Sequence, residues 1–166
     1  MALRRFEHGL GVSVMLPAAH LEPGVVVAYS SPVPGILDVA RIPHGTSEPA
    51  RRLAAAPARG FSSQTVEDIG PWKRAKLLVN VGNAVEALCG SPGAPRAGSS
   101  TWQSVARGTR TVETDYLNGE IVLLGRLHGA DVAANALVAR LMNELAADGG
   151  RPGRLSEDAI LAQLPA

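Results

Sequence analysis

The stretch WKRAKLLVNVGNAVEALCG, from Trp72 to Gly90, carries the reading on which the fold turns. Leu77, Val81, Ala84 and Leu88 recur three or four residues apart, a spacing that stacks them as one apolar stripe of an α-helix. Pro71 suits the first turn, where its missing N–H is no loss, and Gly90 suits the left-handed position just past the end. Beside the apolar stripe runs a polar one made of Lys76, Asn80 and Asn83, at the edge of the buried face. A lysine there buries its stem and holds its ammonium at the mouth of a cleft, while carboxamides one turn on donate and accept toward the same space. The stripe is then either a recognition set for a substrate bearing a carbonyl and hydroxyls, or an exposed lysine beside asparagines that bond a neighbouring helix.

Outward from this helix the chain divides into unlike parts. Residues 1–45 alternate short β-rich runs with Gly and Pro: VSVML (12–16), GVVVAYS (24–30) and GILDVARI (35–42) read as strands. Residues 46–70 read as a connecting helix, capped by Ser47 and stopped by Pro57 and Gly60, then the extended piece FSSQTVEDI. Residues 71–150 form a helical domain. After the opening helix come a loop (91–99), a short helix capped by Ser99 or Ser100, a helix over 113–128 ended by Gly129, and a helix over 131–147. Leu117, Ile121 and Leu124 supply the apolar stripe of the third of these helices, and Trp72 and Trp102 read as core anchors. Residues 151–166 are a tail with a short last helix. The fold class is mainly α, preceded by a small antiparallel β segment.

Composition excludes several classes. A chain of 166 residues with 46% hydrophobic content suits one domain, or one and a fraction. Sixteen basic and 15 acidic residues leave a formal charge of +1, which gathers neither nucleic acid nor an anionic membrane surface. No apolar run approaches the roughly 20 residues that a membrane helix needs. The single Cys89 makes neither an internal disulfide nor a multi-cysteine metal site, and His20, His44 and His128 share no ligand spacing. A cytoplasmic protein without metal is the expectation.

Two further stretches bear on chemistry. In GSSTWQS (98–104), hydroxyls and free amides at a helix start suit a carboxylate, although serines there also serve as simple caps. In ETDYLNGEIVLLGRLHG, Glu113 and Asp115 occupy the first turn, where acids belong in any helix; Glu113 can also point back toward the serines.

In order and spacing, WKRAKLLVNVGNAVEAL, SSTWQS and ETDYLNGEIVLLGRLHG resemble the C-terminal half of the ketopantoate reductase (2-dehydropantoate 2-reductase) family. HLEPGVV and GILDVARIPHG are similar to the end of its nucleotide-binding domain. The resemblance implies a helical domain of the ketopantoate reductase and 6-phosphogluconate dehydrogenase type behind a remnant of a Rossmann domain. It makes Lys76 the general acid and Glu113 a residue that holds the substrate, with Asn80, Asn83 and Ser100 binding a small 2-oxo acid, Ser100 at its carboxylate. The family's second substrate-facing asparagine falls where this chain has Ala84; Asn83, one position early, is turned by roughly 100° about the helix. Asn135 resembles a family asparagine with no role assigned.

The family binds NADPH through a Gly-rich turn between a strand and a helix. GLGV (9–12) is the nearest match, but it lacks a third glycine and precedes a strand. The chain is therefore expected to begin after most of the dinucleotide domain, to bind NADPH only as part of a complete member, and to be inactive alone. The rival class is a non-enzymatic helical dimerisation or interaction module, and a homodimer is a possible partner state in either case.

Overall fold

The computed structural model describes residues 2–56, 60–90 and 98–165. Pro57 and most of the loop expected over 91–99 lie outside them. The chain forms two units: Met1–Ala18 with Val27–Lys76, and Ala19–Val26 with Leu77–Ala166.

The first unit is built on a three-stranded sheet. Strands β1 (Gly9–Met15) and β4 (Ile36–Ile42) pair antiparallel, from Gly9 opposite Ile42 to Met15 opposite Ile36. Two short strands lie between them in sequence, β2 (Ala18–Ala19) and β3 (Val27–Ala28). The apolar run expected to form a strand over 24–30 is thus extended in only two paired residues, and Val25, Val26 and Val27 are exposed. Helix α1 (Glu48–Ala55) follows β4, its start capped by Ser47 Oγ, which accepts from the Ala50 N–H. It returns the chain to β5 (Ser62–Thr65), which pairs parallel with β4. A helical crossover between two parallel strands is the standard solution, because a tight turn cannot join them. The pairing of β1 with β4, within residues 1–45, is antiparallel as expected, and the extended piece of the connector adds β5 in parallel, so the whole sheet is mixed. Ser63 Oγ donates to the Leu37 carbonyl and Gln64 Nε2 to Asp38 Oδ1, both at 2.8 Å, so the buried Asp38 is satisfied.

Helix α2 (Gly70–Asn80) starts where Asp68 Oδ1 accepts from the Gly70 N–H. Trp72 lies on it 48% exposed and is not a core anchor, since nothing in its own turn is buried.

The second unit is helical. It comprises α3 (Gly82–Cys89), α4 (Ser100–Ala106), a 3-10 turn at Glu113–Tyr116, α5 (Asn118–His128), α6 (Ala133–Ala147) and α7 (Glu157–Leu161). Ala84, Ala87 and Leu88 of α3, Val105 of α4, Met142 of α6 and Ile160 of α7 belong to one core. The tail joins it: Gly153 N–H donates to the Ala87 carbonyl and Leu155 N–H to that of Leu88, both at 3.0 Å. Gly129 ends α5 with φ 68°, a left-handed residue as the sequence required. The buried face of α5 is Asn118, Val122 and Gly125, not the expected stripe, whose Leu124 is 42% exposed. The 3-10 turn and the break at Leu117 rotate the helix relative to one running unbroken from Glu113.

Candidate functional site

The opening stretch is two helices. The α2 ladder closes with the Val81 N–H donating to the Leu77 carbonyl at 3.0 Å, and α3 begins at Gly82. Asn118 Nδ2 donates to the Val81 carbonyl across 3.1 Å. A side chain entering the ladder and a glycine beside it are both recognised causes of helix bends. The same nitrogen donates to Asn135 Oδ1 at 3.1 Å, so one carboxamide ties α5 to the α2–α3 joint and to α6. Asn118 is 2% exposed, and its Oδ1, like Thr114 Oγ1, is buried without a partner among the described residues. Each such group costs about 1–3 kcal/mol. Sequence reasoning passed over Asn118; its spacing with Val122 and Gly125, three to four residues apart, was the available signal.

Lys76 lies in the first unit, where its Nζ donates to the Val14 carbonyl of β1. Asn80 ends α2 and Asn83 is the second residue of α3, so Val81 alone separates their helices. Both are half-buried, and neither side chain hydrogen-bonds another described residue.

The start of α4 is assembled from two helices. Ser99 is its cap: the Oγ accepts from the Trp102 N–H at 3.4 Å and donates to the Asn83 carbonyl at 3.5 Å. The Ser99 N–H donates to Glu86 Oε2 at 2.9 Å. Asn83 and Glu86, one turn apart on α3, thus meet the serines, and Ser100 stands exposed as the first residue of α4. Glu86 is a second residue that the sequence reading missed. Buried Gln103 accepts from the His20 N–H and donates to the Gly98 carbonyl, each at 2.9 Å, and Arg107 donates to the His20 carbonyl at 2.6 Å. These bonds strap the segment Ala19–Val26 to α4.

Glu113 opens the 3-10 turn and is exposed; no hydrogen bond joins it to the serines. Its neighbour Asp115 accepts from Asn143 Nδ2 at 2.7 Å, tying the turn to α6. The geometry therefore joins Asn83 with the flank of Ser100, and leaves Glu113 on a separate turn.

The glycines of GLGV do not fit a dinucleotide phosphate. They lie inside β1, and a Cβ on Gly11 would stand 2.7 Å from Ile42 Cδ1 and 2.9 Å from Ile69 Cγ2. Close packing of two isoleucines accounts for Gly11, whereas a phosphate cradle follows a strand and opens a helix. Among the described residues no three of His, Cys, Asp and Glu gather as a metal site, and no helix is long and apolar enough to cross a membrane.

Residues 82–146 match the profile of the family described as ketopantoate reductase PanE/ApbA C terminal. No curated protein matches the chain by sequence. Among solved structures, the fold is similar to that of a PanE/ApbA family ketopantoate reductase from Ralstonia eutropha JMP134, with a TM-score of 0.66 and 23% identity. The match covers 84% of this chain and 60% of that one, so the chain spans about three fifths of that protein's length. Asn83, Ser100, Glu113, Asn118 and Asn135 all fall within the segment matched by the profile; Lys76 and Asn80 precede it.

Proposed function

We infer from residues 82–146, which belong to the ketopantoate reductase PanE/ApbA C-terminal family, that this chain supplies the substrate-binding helices of a reductase of small 2-oxo acids. The observation that carries the reading is the bond from Ser99 Oγ to the Asn83 carbonyl, which brings together, inside the matched segment, an asparagine whose carboxamide has no partner among the described residues and an exposed serine at a helix start. Ser100 and the amides at the start of α4 suit the acid's carboxylate. Asn80 and Asn83 suit hydroxyls, which they both donate to and accept from, and Glu113 accepts from a further one. Lys76 Nζ polarises the C2 oxygen and passes it a proton.

The activity in this reading is that of 2-dehydropantoate reduction in the cytoplasm, toward pantothenate. NADPH supplies the reducing equivalent in a complete member of the family. The glycines of GLGV do not fit its phosphates; in this reading the chain's own contribution is recognition and orientation of the acid, and the chain alone is inactive.

Calorimetric titration with 2-dehydropantoate tests the reading. Saturable binding in the range of roughly 1 μM to 1 mM, typical of enzyme substrates, is expected, weakened by Ser100→Ala and by Asn83→Ala. A folded chain that binds no acid overturns it.

One observation favours a second reading, a non-enzymatic helical dimerisation module: Leu123, Leu124 and Leu127 lie exposed along α5. Sedimentation separates the two, since the module sediments as a dimer and binds no acid.

A further inference from the structure

We propose that Asn118 is a positioning residue for the acid, fixing the joint between α2 and α3 and thereby setting Asn80 against Asn83. The proposal rests on the reading of those two asparagines as ligands of the oxo acid. On an unbroken helix, residues three apart differ by about 60° around the axis. Here a joint at Val81 intervenes, so whatever holds the joint sets how the two carboxamides converge.

Asn118 is the group that holds it. The Val81 carbonyl accepts from Asn118 Nδ2, and Val81 has no side-chain cap bond of its own. The second bond of that nitrogen, to Asn135 Oδ1, anchors the carboxamide to α6, the helix whose Met142 lies in the core. Packing alone does not account for an asparagine at this position. A leucine has the same branched skeleton and brings no buried oxygen of its own, whereas Asn118 Oδ1 is buried without a partner among the described residues. What the carboxamide adds is its donors, and one of them goes to the joint. Gly82 completes the device. A Cβ there would meet nothing within 4 Å, and its φ is not in the left-handed range, so no steric demand selects glycine. Glycine instead leaves the joint compliant, and the angle is set from outside by Asn118.

The test is a double-mutant cycle on this chain, with Asn118→Leu crossed with Asn83→Ala, read by affinity for 2-dehydropantoate and by the NMR signals of the Asn80 and Asn83 carboxamides. Asn118→Leu is expected to fold cooperatively, to shift both carboxamide signals, and to lose about tenfold in affinity. The double variant should lose little more than Asn83→Ala does, because both changes remove one interaction. Unchanged affinity, or losses that simply multiply as they do for independent sites, overturns the proposal. If Asn118→Leu does not fold, Asn135→Ala replaces it, since it keeps Asn118 and removes one anchor; the same outcomes decide. If the wild-type chain binds no acid, the functional reading falls by itself, and the NMR signals still decide the joint. Asn80 and Asn83 signals that move together in Asn118→Leu support it, and signals that stay in place overturn it.

Discussion

The Ser99 N–H donates to Glu86 Oε2 across 2.9 Å, so α3 carries a carboxylate to the first turn of α4. Ser100, the next residue, is the one proposed to receive the carboxylate of the acid. Two negative groups then compete for the positive end of one helix. Glu86→Gln keeps the shape and an acceptor oxygen while removing the charge. It should tighten 2-dehydropantoate by roughly three- to tenfold, the scale of a like-charge repulsion of about 1 kcal/mol near the surface. The same change should cost about 1 kcal/mol of stability, because a charge-assisted bond becomes a neutral one. Calorimetry and urea denaturation on the one variant check both signs, and weaker acid binding would remove the carboxylate from α4.

Burial first, and the Glu157 carboxylate second, push the Cys89 thiol above its ordinary range. The folded chain therefore holds this proton more tightly than the unfolded chain does. The resulting contribution to stability is whole below the ordinary thiol range and is lost as pH rises through the raised value. Labelling of Cys89 by a disulfide reagent should be slow at pH 8 and rise only beyond the ordinary value of about 8.5. Glu157→Gln should speed the reaction at pH 8 by removing the smaller cause. An unchanged rate would leave burial as the whole explanation.

Gly125 on α5 is buried, and a Cβ there would stand 2.0 Å from Val132 Cγ1 and 3.3 Å from the Ala130 carbonyl oxygen. Val132 is β-branched and stiff, so it cannot swing clear as a long side chain would. Gly125→Ala should destabilise the chain by about 1–3 kcal/mol, against the gain in helix propensity. The urea midpoint reports it. Adding Val132→Ala should restore most of the loss, and a single variant as stable as wild type would mean that the turn after α5 moves freely.

Much of the architecture was legible because its signals are local. Ser47, Ser99 and Gly129 end or start helices through bonds and dihedrals within a few residues of themselves. What failed depended on distant partners. The run GVVVAYS reads as a strand, yet only Val27 and Ala28 pair and all three valines are exposed, because an apolar run pairs only where a neighbouring strand is supplied. The helix from Trp72 to Gly90 looked continuous because Asn118, which meets its midpoint at Val81, is 37 residues away in sequence. Asn83, Ser100 and Glu113 were legible as residue types in order. The Glu86 carboxylate at the start of α4 was not, since a glutamate on a helix ordinarily reads as a solvated charge.

Lys76 offers the sharpest test of the proposed chemistry. Its Nζ donates to the Val14 carbonyl, a neutral acceptor, so the ammonium is oriented without being neutralised by a carboxylate. The salt bridges Arg51–Glu48, Arg140–Glu144 and Arg154–Asp148 do not involve it. An oriented ammonium that keeps its proton available is what a general acid requires. In a reductase that joins this chain to a dinucleotide-binding domain, Lys76→Ala should lower kcat by about 10²–10⁴, the usual contribution of a positioned acid. KM should change little, because in the proposed reading the carboxylate and hydroxyls of the acid are held by other residues. Lys76→Arg, whose guanidinium gives up no proton near neutral pH, should retain binding and recover little turnover. A variant whose kcat stays at the wild-type level while KM rises would make Lys76 a binding residue, and would move the proton donor elsewhere.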